Sequence, residues 1–488
     1  MIMNPDKAII SGKDFYHLLQ CPHWPYWERF GNPKDRRDLT EAEEERIADG
    51  LEHEKDIVSS MFQDVHEITE RAPKAGFEET LALMRQGTSF IYQGWLQHGT
   101  WLGRPDILER QPGKSIFGDY YYLPVDIKSA HRLKKHHKAQ LLFYCHLLEK
   151  IQGHFPGYPA VINADAERIA FSAEEFLPDY QNMLGKIERM TEGECPEPVF
   201  RKSCVDTSPW GSACLRLAEE KEDVALLYNV DIRRLKAFRY FGIRTIHDAA
   251  NLDVDAIEGQ APGLTRRALE AAKRQAISLT KQSVIIRSKY EDQTVGMEIH
   301  FDIESHPPTD RDYLYGLLIM GADEEKYISF VAEKPEDEKI MWEDFLNWCD
   351  TLPDTFTVYH YAPYESQRLN QLAKRYNTEN HEGLINFMNA FIDVKELVRT
   401  HAVFPLYFYS LKSIAKFLGF SWKGDVQGGG ESILAYDKWL ETGKRSHLES
   451  IIAYNEEDVQ ATAFLIDWLR RYAKQETTYE IPFHWNIR

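Results

Sequence analysis

Apolar residues recur along this chain with two different periods, which predict strands and helices in mixed order. Short apolar runs such as FIYQGWL at 90–96 and YYLPVDIKSA at 121–130 are typical of strands. Longer runs with apolar residues on one face, such as QLLFYCHLL at 140–148 and HLESIIAYNEEDVQATAFLIDWLRRYA at 447–473, predict helices. The mixed order predicts an α/β protein with more than one domain.

Two of the strand-like runs in the first part of the chain carry acidic residues, Asp106 and Asp126. Side chains alternate along a strand, so Asp126 and Lys128 share one face, and Gln140 and Tyr144 share a face of the helix that follows. Carboxylates on apolar strands are costly to bury unless they are paired or bind metal. Two carboxylates and a lysine therefore predict a hard-cation site, against the alternative of a surface hairpin with solvated charges.

This order of residues, with the run GLEHEKDIV upstream, resembles the PD-(D/E)xK nuclease core of the RecB type. The resemblance implies a restriction-endonuclease-like mixed sheet with flanking helices. It also implies the following roles: His53, Asp106 and Asp126 as ligands of a divalent ion, Lys128 orienting or activating water, and Gln140 and Tyr144 contacting substrate. Where the family usually has glutamate before x-Lys, this chain has Asp126.

Four cysteines lie near the two ends of the same region, at Cys21, Cys195, Cys204 and Cys214. Some RecB-like nucleases join these ends with a [4Fe–4S] cluster held by one early and three late cysteines. The resemblance implies such a cluster here, although Ser208 stands where a cysteine is expected. Cys195 then replaces it, or the cluster is lost or replaced by zinc.

The middle of the chain changes character, because residues 222–280 predict short helices joined by glycine turns. FGIRTIHDAANL at 241–252 resembles helix-hairpin-helix elements, which bind nucleic-acid backbone, and the alternative is a helical spacer. The segment that follows, SLTKQSVIIRSKYEDQTVG at 278–296, is interpreted as a connector.

A second group of acidic residues begins after this segment. Asp302 and Glu304 lie two apart in a predicted strand, and Tyr454 and Asp458 lie four apart in the last long helix. Carboxylates that gather in this way can bind a pair of divalent ions, which hydrolysis by in-line displacement requires. Each of these residues taken alone would be interpreted as a solvated surface group.

The second group resembles the RNase H-like exonucleases of the DEDD class, in the variant with tyrosine in the last motif. The resemblance implies that Asp302, Glu304 and Asp458 bind Mg²⁺ or Mn²⁺ and that Tyr454 positions the attacking water. The family has a further aspartate in mid-domain. Glu365 is the best candidate for that ligand here, and Asp393 is the runner-up.

Composition changes this picture little. The chain has 488 residues, 43% of them hydrophobic, and a formal net charge of −19. The negative charge argues against a uniformly basic surface but not against local binding of nucleic acid. No apolar run approaches the roughly 20 residues of a membrane span, and the start lacks the pattern of a signal peptide. We therefore expect a cytoplasmic protein with no membrane partner, and its six cysteines are expected to be thiols or metal ligands.

Together these features predict three domains: a RecB-like nuclease domain at 1–218, a helical helix-hairpin-helix-like module at 219–285, and an RNase H-like domain at 286–488. The pairing resembles a family of bacterial RecB-like nucleases. We expect metal-dependent hydrolysis of phosphodiester bonds, in DNA rather than RNA, and at single-stranded ends as an exonuclease. The alternative is a nucleic-acid-binding or complex-assembly protein in which one or both sites are degenerate. In a third reading, only the N-terminal site cuts.

Overall fold

A computed structural model describes residues 8–321, 325–426, 428–475 and 478–482. The chain divides into two compact units, Met1–Lys221 and Glu222–Arg488. Helices and mixed sheets occur in both units, so the predicted α/β class is confirmed. Residues 1–7, part of the start that lacks a signal-peptide pattern, lie outside the described residues.

The first unit contains nine strands and eight α-helices among its described residues. Its strands are β1 (Ile10–Ser11), β2 (Val65–Glu67), β3 (Phe90–Tyr92), β4 (Leu96–His98), β5 (Trp101–Gly103), β6 (Ile107–Ser115), β7 (Gly118–Ile127), β8 (Ala160–Ile162) and β9 (Arg168–Ala170). Its helices are α1 (Gly12–Gln20), α2 (Trp24–Phe30), α3 (Glu41–Met61), α4 (Pro73–Gln86), α5 (Lys135–Gln152), α6 (Ala173–Thr191), α7 (Lys202–Asp206) and α8 (Gly211–Glu220).

A mixed six-stranded sheet in the order β2-β3-β6-β7-β8-β9 forms the centre of this unit, beside a three-stranded sheet in the order β1-β5-β4. The long antiparallel pair β6–β7 leads directly into α5. Leu141, Phe143 and Leu147 of α5 are fully buried, because this helix packs against β7, α1 and α6. The apolar sides of α5 therefore fix the helix that carries Gln140 and Tyr144 next to the end of β7.

Two local features of the first unit concern the start of α3 and the break between β5 and β6. Thr40 and Glu43 form a capping box at the start of α3, with the Thr40 amide donating to Glu43 Oε2 at 2.9 Å. The predicted strand through Asp106 is wrong in detail, since β5 ends at Gly103 and β6 begins at Ile107. Pro105 lies in this break, and proline has no amide hydrogen to donate to a neighbouring strand.

The described residues of the second unit form ten α-helices and strands before α14 and nine from α14 onwards. The earlier elements are α9 (Ile232–Tyr240), α10 (Ile246–Ala250), α11 (Val254–Ile257), α12 (Arg266–Lys281), β10 (Ser283–Ile286), β11 (Met297–His306), β12 (Arg311–Met320), β13 (Glu325–Val331), α13 (Glu338–Cys349) and β14 (Phe356–His360). The later ones, from α14, are α14 (Tyr364–Arg375), α15 (Glu382–Asn389), β15 (Phe391–Asp393), α16 (Val394–His401), β16 (Ala402–Val403), α17 (Leu411–Phe417), α18 (Gly429–Thr442), α19 (Arg445–Tyr472) and β17 (Tyr479–Pro482).

A five-stranded mixed sheet in the order β13-β12-β11-β14-β15 organises the second unit. The strands β11, β12 and β13 form an antiparallel meander, while β14 and β15 run parallel to β11. The 28-residue helix α19 packs across β11 and β12. This packing places one face of α19 over the central strand, where the second acidic group was predicted.

A second sheet shows that the connector interpretation of residues 278–296 is wrong. Residues Ser283–Ile286 form β10, which pairs antiparallel with β16 and β17. All four residues of β10 are buried, because both of its edges are covered by strands that come much later in the chain. The helices α9 to α12 lie in the second unit with this sheet, and their interpretation as a separate helix-hairpin-helix module stays a prediction.

None of the helices within the described ranges combines the length and the apolar character needed to cross a membrane.

Candidate metal centres

The register of β6 and β7 brings Asp106 and Asp126 together in the first unit. Ile107 pairs with Val125, so the residue before β6 lies opposite the end of β7. The Ile127 amide donates to Asp106 Oδ2 at 2.7 Å, and the Asp106 amide lies 3.4 Å from Asp126 Oδ1. The carboxylate of Asp106 is thus held by the amide that follows Asp126, and the carboxylate of Asp126 lies beside the amide of Asp106.

Lys128 neutralises this carboxylate pair in part. Its Nζ lies 3.2 Å from Asp126 Oδ2 and 3.6 Å from Asp106 Oδ2. Burial raises the pKa of Asp126 to about 6, although Lys128 acts in the opposite direction. Burial alone would lower the pKa of Lys128, but Asp126 and Asp106 raise it above its usual value, so this lysine stays charged.

The helix α3 adds a third carboxylate, Glu54, which the sequence reasoning missed. Gln93 donates through Nε2 to Glu54 and also lies 3.3 Å from Asp106 Oδ1. Burial and the charge of Asp106 raise the pKa of Glu54 to about 6. The adjacent His53 has a buried Nε2 with no hydrogen-bond partner in the described part of the chain. His53 does not form a compact ligand set with the two aspartates there, so its role as a ligand stays a prediction.

Gln140 and Tyr144 lie together on α5, as their spacing predicts, with Gln140 Nε2 donating to Tyr144 Oη at 2.9 Å. Burial and the nearby charge of Asp126 raise the pKa of Tyr144 above its usual value. A side chain at Gly12 would place its Cβ 2.8 Å from Tyr144 Oη. The glycine therefore allows α1 to pack close to this tyrosine beside the carboxylates.

The second unit brings Asp302, Glu304 and Asp458 into one compact group. Asp302 and Glu304 project from the same face of β11, and Asp458 comes from α19, which crosses that strand. One ligand oxygen from each of the three lies within 4.8 Å of the others. Tyr454, one helical turn before Asp458, hydrogen-bonds to its carboxylate. The structure thus gathers four of the predicted site residues at one place.

A buried amide orients Asp302. Asn455 Nδ2 donates to Asp302 Oδ2 at 2.8 Å, and Asn455 Oδ1 accepts from Tyr327 Oη at 2.9 Å. Gly316 pairs with Asp302 across β11 and β12, and a Cβ at Gly316 would lie only 1.5 Å from Asn455 Oδ1. Only glycine therefore leaves room for the amide that fixes this carboxylate.

The other two carboxylates have their own donors. Trp422 Nε1 donates to Asp458 Oδ1 at 2.7 Å. Tyr313 Oη lies 3.4 Å from Glu304 Oε2 and 2.8 Å from the hydroxyl of Ser432. These contacts fix the positions of the carboxylates but bring no positive charge to them.

Repulsion within this group is strong because the carboxylates are buried. Burial, together with the charge of Asp458, raises the pKa of Glu304 to about 8. Burial and the neighbouring acids raise the pKa of Asp302 well above its usual range. The charge of Lys412 lowers the pKa of Glu304 and of Asp458, but burial outweighs it. A bound cation would relieve this repulsion, so the donor set fits a divalent metal ion.

Two further acidic candidates lie outside the compact group. Glu365, early in α14, pairs with His360 at 3.2 Å, and it contributes to the electrostatic repulsion on Asp302. Asp393 caps α16, where its Oδ1 accepts from the amides of Lys395 at 2.8 Å and Glu396 at 3.3 Å. Of the two, Glu365 is therefore the better candidate for a role at the site, because its charge acts on Asp302.

The cysteines of the first unit form a different group from the one predicted. Cys21 Sγ lies 3.3 Å from Cys214 Sγ, and Cys204 hydrogen-bonds to both thiols. His23 offers a ligand atom within 4.8 Å of those of Cys21 and Cys214. Cys195 is exposed and instead interacts with Tyr26.

This geometry fits one metal ion better than a four-iron cluster. Two thiolates bound to one zinc ion lie about 3.8 Å apart, given tetrahedral geometry and Zn–S bonds of about 2.3 Å. The 3.3 Å between Cys21 and Cys214 is close to that separation. A four-iron cluster puts a separate iron behind each thiolate, which requires more widely spaced sulfurs than these.

The model of the RNase H superfamily matches residues 299–470. No curated protein shows significant similarity to the chain. The match spans β11 to α19 and contains all three members of the compact carboxylate group. It supports an RNase H-like domain in the second unit, and with it a metal-dependent nuclease that acts on nucleic acid. Such nucleases typically use divalent ions such as Mg²⁺ or Mn²⁺.

Three functional residues were not predicted, although each lies beside a residue that was. Glu54 follows His53, Asn455 follows Tyr454, and His23 lies two positions after Cys21. The sequence shows their polar character but not their direction. Their roles depend on Gln93, Gly316 and Cys214, which are distant in the chain.

Proposed function

We propose that this protein hydrolyses phosphodiester bonds of single-stranded DNA, in preference to RNA, at the carboxylate group of the second unit. The observation that carries this proposal is the compact group of Asp302, Glu304 and Asp458, with ligand atoms within 4.8 Å of one another. Buried acids whose pKa values are raised by each other's charge are typical of functional sites. The superfamily match over the same residues supports the proposal.

The residues at this site divide into three ligands of the metal ions and one residue, Tyr454, that positions water. Asp302, Glu304 and Asp458 would hold the divalent ions, and bound ions would supply an activated water and charge stabilisation for the leaving oxygen. Tyr454 keeps its proton, because burial and the charge of Asp458 raise its pKa far above the usual value. Its phenol therefore acts on the attacking water by hydrogen bonding, not as a base.

The first unit would provide a second nuclease site of the PD-(D/E)xK kind. Asp106, Asp126 and His53 would bind the ion there, with Glu54 as an additional carboxylate. Lys128 remains charged in the field of the two aspartates, so it holds water or a phosphate oxygen as a cation and does not remove a proton. Gln140 and Tyr144 lie beside it on α5 and would contact the substrate.

Cleavage of end-labelled DNA and RNA strands, with and without Mn²⁺, tests this function. We expect metal-dependent cleavage by the native chain, with DNA cut faster, and its loss in the double variant Asp126→Asn with Asp302→Asn. Shortening from one end would support exonuclease action. A double variant that cuts as fast as the native chain would refute both site assignments.

A second candidate function is binding of nucleic acid without cleavage at the second unit. The observation that favours it is the pairing of Glu365 with His360, which leaves only three carboxylates in the compact group. Tight strand binding with no Mn²⁺-dependent cleavage would select this candidate. Cleavage abolished by Asp126→Asn but unchanged by Asp302→Asn would assign the chemistry to the first unit alone.

We also propose that Cys21, His23, Cys204 and Cys214 hold one structural metal ion, in place of the [4Fe–4S] cluster implied by the family resemblance. His23 Nε2 hydrogen-bonds to the carbonyl of Pro196 at 3.1 Å, and such a contact commonly orients a histidine ligand. Metal analysis of protein purified without oxygen should find about one zinc ion per chain at this site. Cys204→Ser should remove it and Cys195→Ser should not. Four irons per chain, with iron lost in Cys195→Ser, would restore the cluster.

A further inference from the structure

A cavity of about 950 Å³ in the second unit has no role in the functions described so far. Its walls come from the segment before α9, from α12, from Arg287 after β10, and from α16. Tyr409, just before α17, also lines the cavity. Every wall belongs to the second unit, so the cavity is a feature of that unit alone.

Positive charge dominates the lining of this cavity. Six arginines and two glutamates line it, which leaves a formal excess of four positive charges in a chain of net charge −19. The arginines are Arg234, Arg266, Arg267, Arg274, Arg287 and Arg399. Such a local concentration against an acidic background indicates a site for an anion.

Several of these arginines are not neutralised by acids. Arg266, Arg274 and Arg399 each form an ion pair. In the described part of the unit, Arg267 and Arg287 form none. Burial and the charges of Arg274 and Arg267 lower the pKa of Arg287, which shows that the guanidinium groups repel one another. An anion in the cavity would remove that repulsion.

The charge is spread along the cavity and not concentrated at one point. Arg267 and Arg274 lie seven positions apart on α12, which separates them by about 10 Å along the helix axis. A nucleic-acid strand in a helical form carries one phosphate per roughly 3.4 Å of axis, so this distance spans about three phosphates. The row of arginines therefore suits several consecutive phosphates better than a single one.

An aromatic pair lies at the same cavity. The rings of Tyr228 and Tyr409 stack with centroids 4.5 Å apart and planes inclined by 4°. The guanidinium of Arg399 lies 5.8 Å from the Tyr228 ring centroid, and the Arg399 carbonyl accepts from Arg287 at 3.0 Å. Tyr409 is buried, so the half-buried Tyr228 is the ring of the pair that a base could contact. Aromatic rings beside a positively charged groove are the usual means of binding single strands without sequence preference.

The cavity is connected to the carboxylate group through shared elements. Tyr361, next to His360, donates to the carbonyl of Tyr409 at 2.9 Å. Three residues after Tyr409, Lys412 Nζ lies 4.3 Å from the ring centroid of Tyr454. The segment from Tyr409 to Lys412 therefore connects the lining of the cavity with Tyr454 of the proposed nuclease site.

We propose that this arginine-lined cavity binds the sugar-phosphate backbone of a nucleic-acid single strand and guides it to the carboxylate group of the second unit. Binding by the cavity does not require that the chain cleaves its ligand. Only the direction of the strand towards Asp302 and Asp458 rests on the proposed nuclease function.

The test is binding of fluorescein-labelled single strands of DNA and RNA to the full chain carrying Asp302→Asn, in EDTA. Arg267→Glu reverses an exposed charge in the cavity, and Arg287→Ala removes a half-buried one. Arg471→Ala is the matched control, since Arg471 is an exposed arginine paired with Asp467 outside the cavity lining. Thermal melting of each variant checks that it folds.

We expect Arg267→Glu and Arg287→Ala each to weaken strand binding about tenfold, and Arg471→Ala to change it less than twofold. Each arginine lost should lower the slope of log affinity against log salt by about 0.7, the value for one contact to a single-stranded phosphate. Unchanged affinity in the folded Arg267→Glu variant would refute the proposal. Equal competition by inorganic phosphate or by duplex DNA would also refute it, because the cavity would then not be built for a single strand.

The two proposals fail in distinguishable ways. Loss of strand binding in the arginine variants, together with absence of cleavage by the native chain, would keep the cavity and remove the nuclease. If the native chain cleaves nucleic acid, introducing Arg267→Glu should raise the KM for a strand and leave kcat nearly unchanged. A fall in kcat alone would contradict a role in binding.

Discussion

The carboxylates of the first unit lie beside a lysine, whereas those of the second unit are buried against one another. Lys128 Nζ is within 3.6 Å of both Asp106 and Asp126, and the pKa of Asp126 rises only to about 6. In the second unit the pKa of Glu304 rises to about 8, and that of Asp302 rises well above its usual range. Lys128 contacts both aspartates of the first site, whereas at the second site burial outweighs the opposing charge of Lys412.

This difference has a physical consequence for metal binding. A buried carboxylate without a cation is costly when it is ionised, so it retains a proton near neutral pH. The second unit must release protons to bind metal, and its affinity depends strongly on pH. In the first unit the pKa of Asp126 is only about 6, so this carboxylate is ionised at neutral pH, and a metal there would compete with Lys128 for its oxygens.

The largest effect should come from removing a ligand of the second unit. Asp302→Asn keeps the shape of the side chain but removes its charge, and we expect Mn²⁺ affinity there to fall more than about 100-fold, beyond the effect of losing a supporting contact. Calorimetric titration with Mn²⁺ measures this. Asp467→Asn, an exposed residue of the same helix, is the control and should leave both sites intact. An equal loss in the control would mean that surface charge, not ligation, sets the affinity.

A smaller effect is expected from the support of Asp302. Asn455→Ala removes its amide donor, and Gly316→Ala places a Cβ where Asn455 lies, so each should weaken Mn²⁺ binding about 10- to 100-fold. The two changes act through one contact, so the double variant should be no weaker than the worse single one. Additive losses in that cycle would show that Gly316 acts on something other than Asn455.

Lys128→Met tests the balance of charge in the first unit. It leaves two buried aspartates without their cation, and we expect it to destabilise the protein by about 2 kcal/mol at pH 8. The loss should shrink as the pH falls towards about 6, because without Lys128 the pKa of Asp126 lies above that value and the carboxyl group takes up a proton. Urea unfolding at pH 8 and pH 5 measures it. Lys135→Met removes an exposed ion pair with Asp179 and should cost less than about 1 kcal/mol at either pH.

The smallest effect is the pH dependence of metal affinity in the native chain. Carboxylates with raised pKa values hold protons below those values, so Mn²⁺ affinity at the second unit should rise up to about tenfold per pH unit per proton released. The rise should continue to at least about pH 8, the pKa of Glu304, while affinity at the first unit levels off above about pH 6, the pKa of Asp126. Titrations in Asp126→Asn and Asp302→Asn separate the two sites. Identical profiles would remove the contrast between them.

Local patterns predicted the residues that depend on one strand or one helix. Asp302 and Glu304 share a face of β11, Tyr454 contacts Asp458, and Gln140 contacts Tyr144, because each pair is fixed by the geometry of a single element. The connector interpretation failed at β10 for the opposite reason. Its β-branched residues favour a strand, but the strands that pair with it, β16 and β17, come much later in the chain, so the local pattern did not reveal a sheet.

The sequence by itself determined the α/β class and which acidic residues share a face. Only the tertiary structure decided that Glu54 joins the first site, that His23 and not Cys195 joins the cysteines, and that six arginines line one cavity. The physical reason is the distance along the chain over which each kind of interaction acts. The period of a strand or helix constrains neighbours a few residues apart, whereas these groups are joined by packing between segments that are distant in the chain.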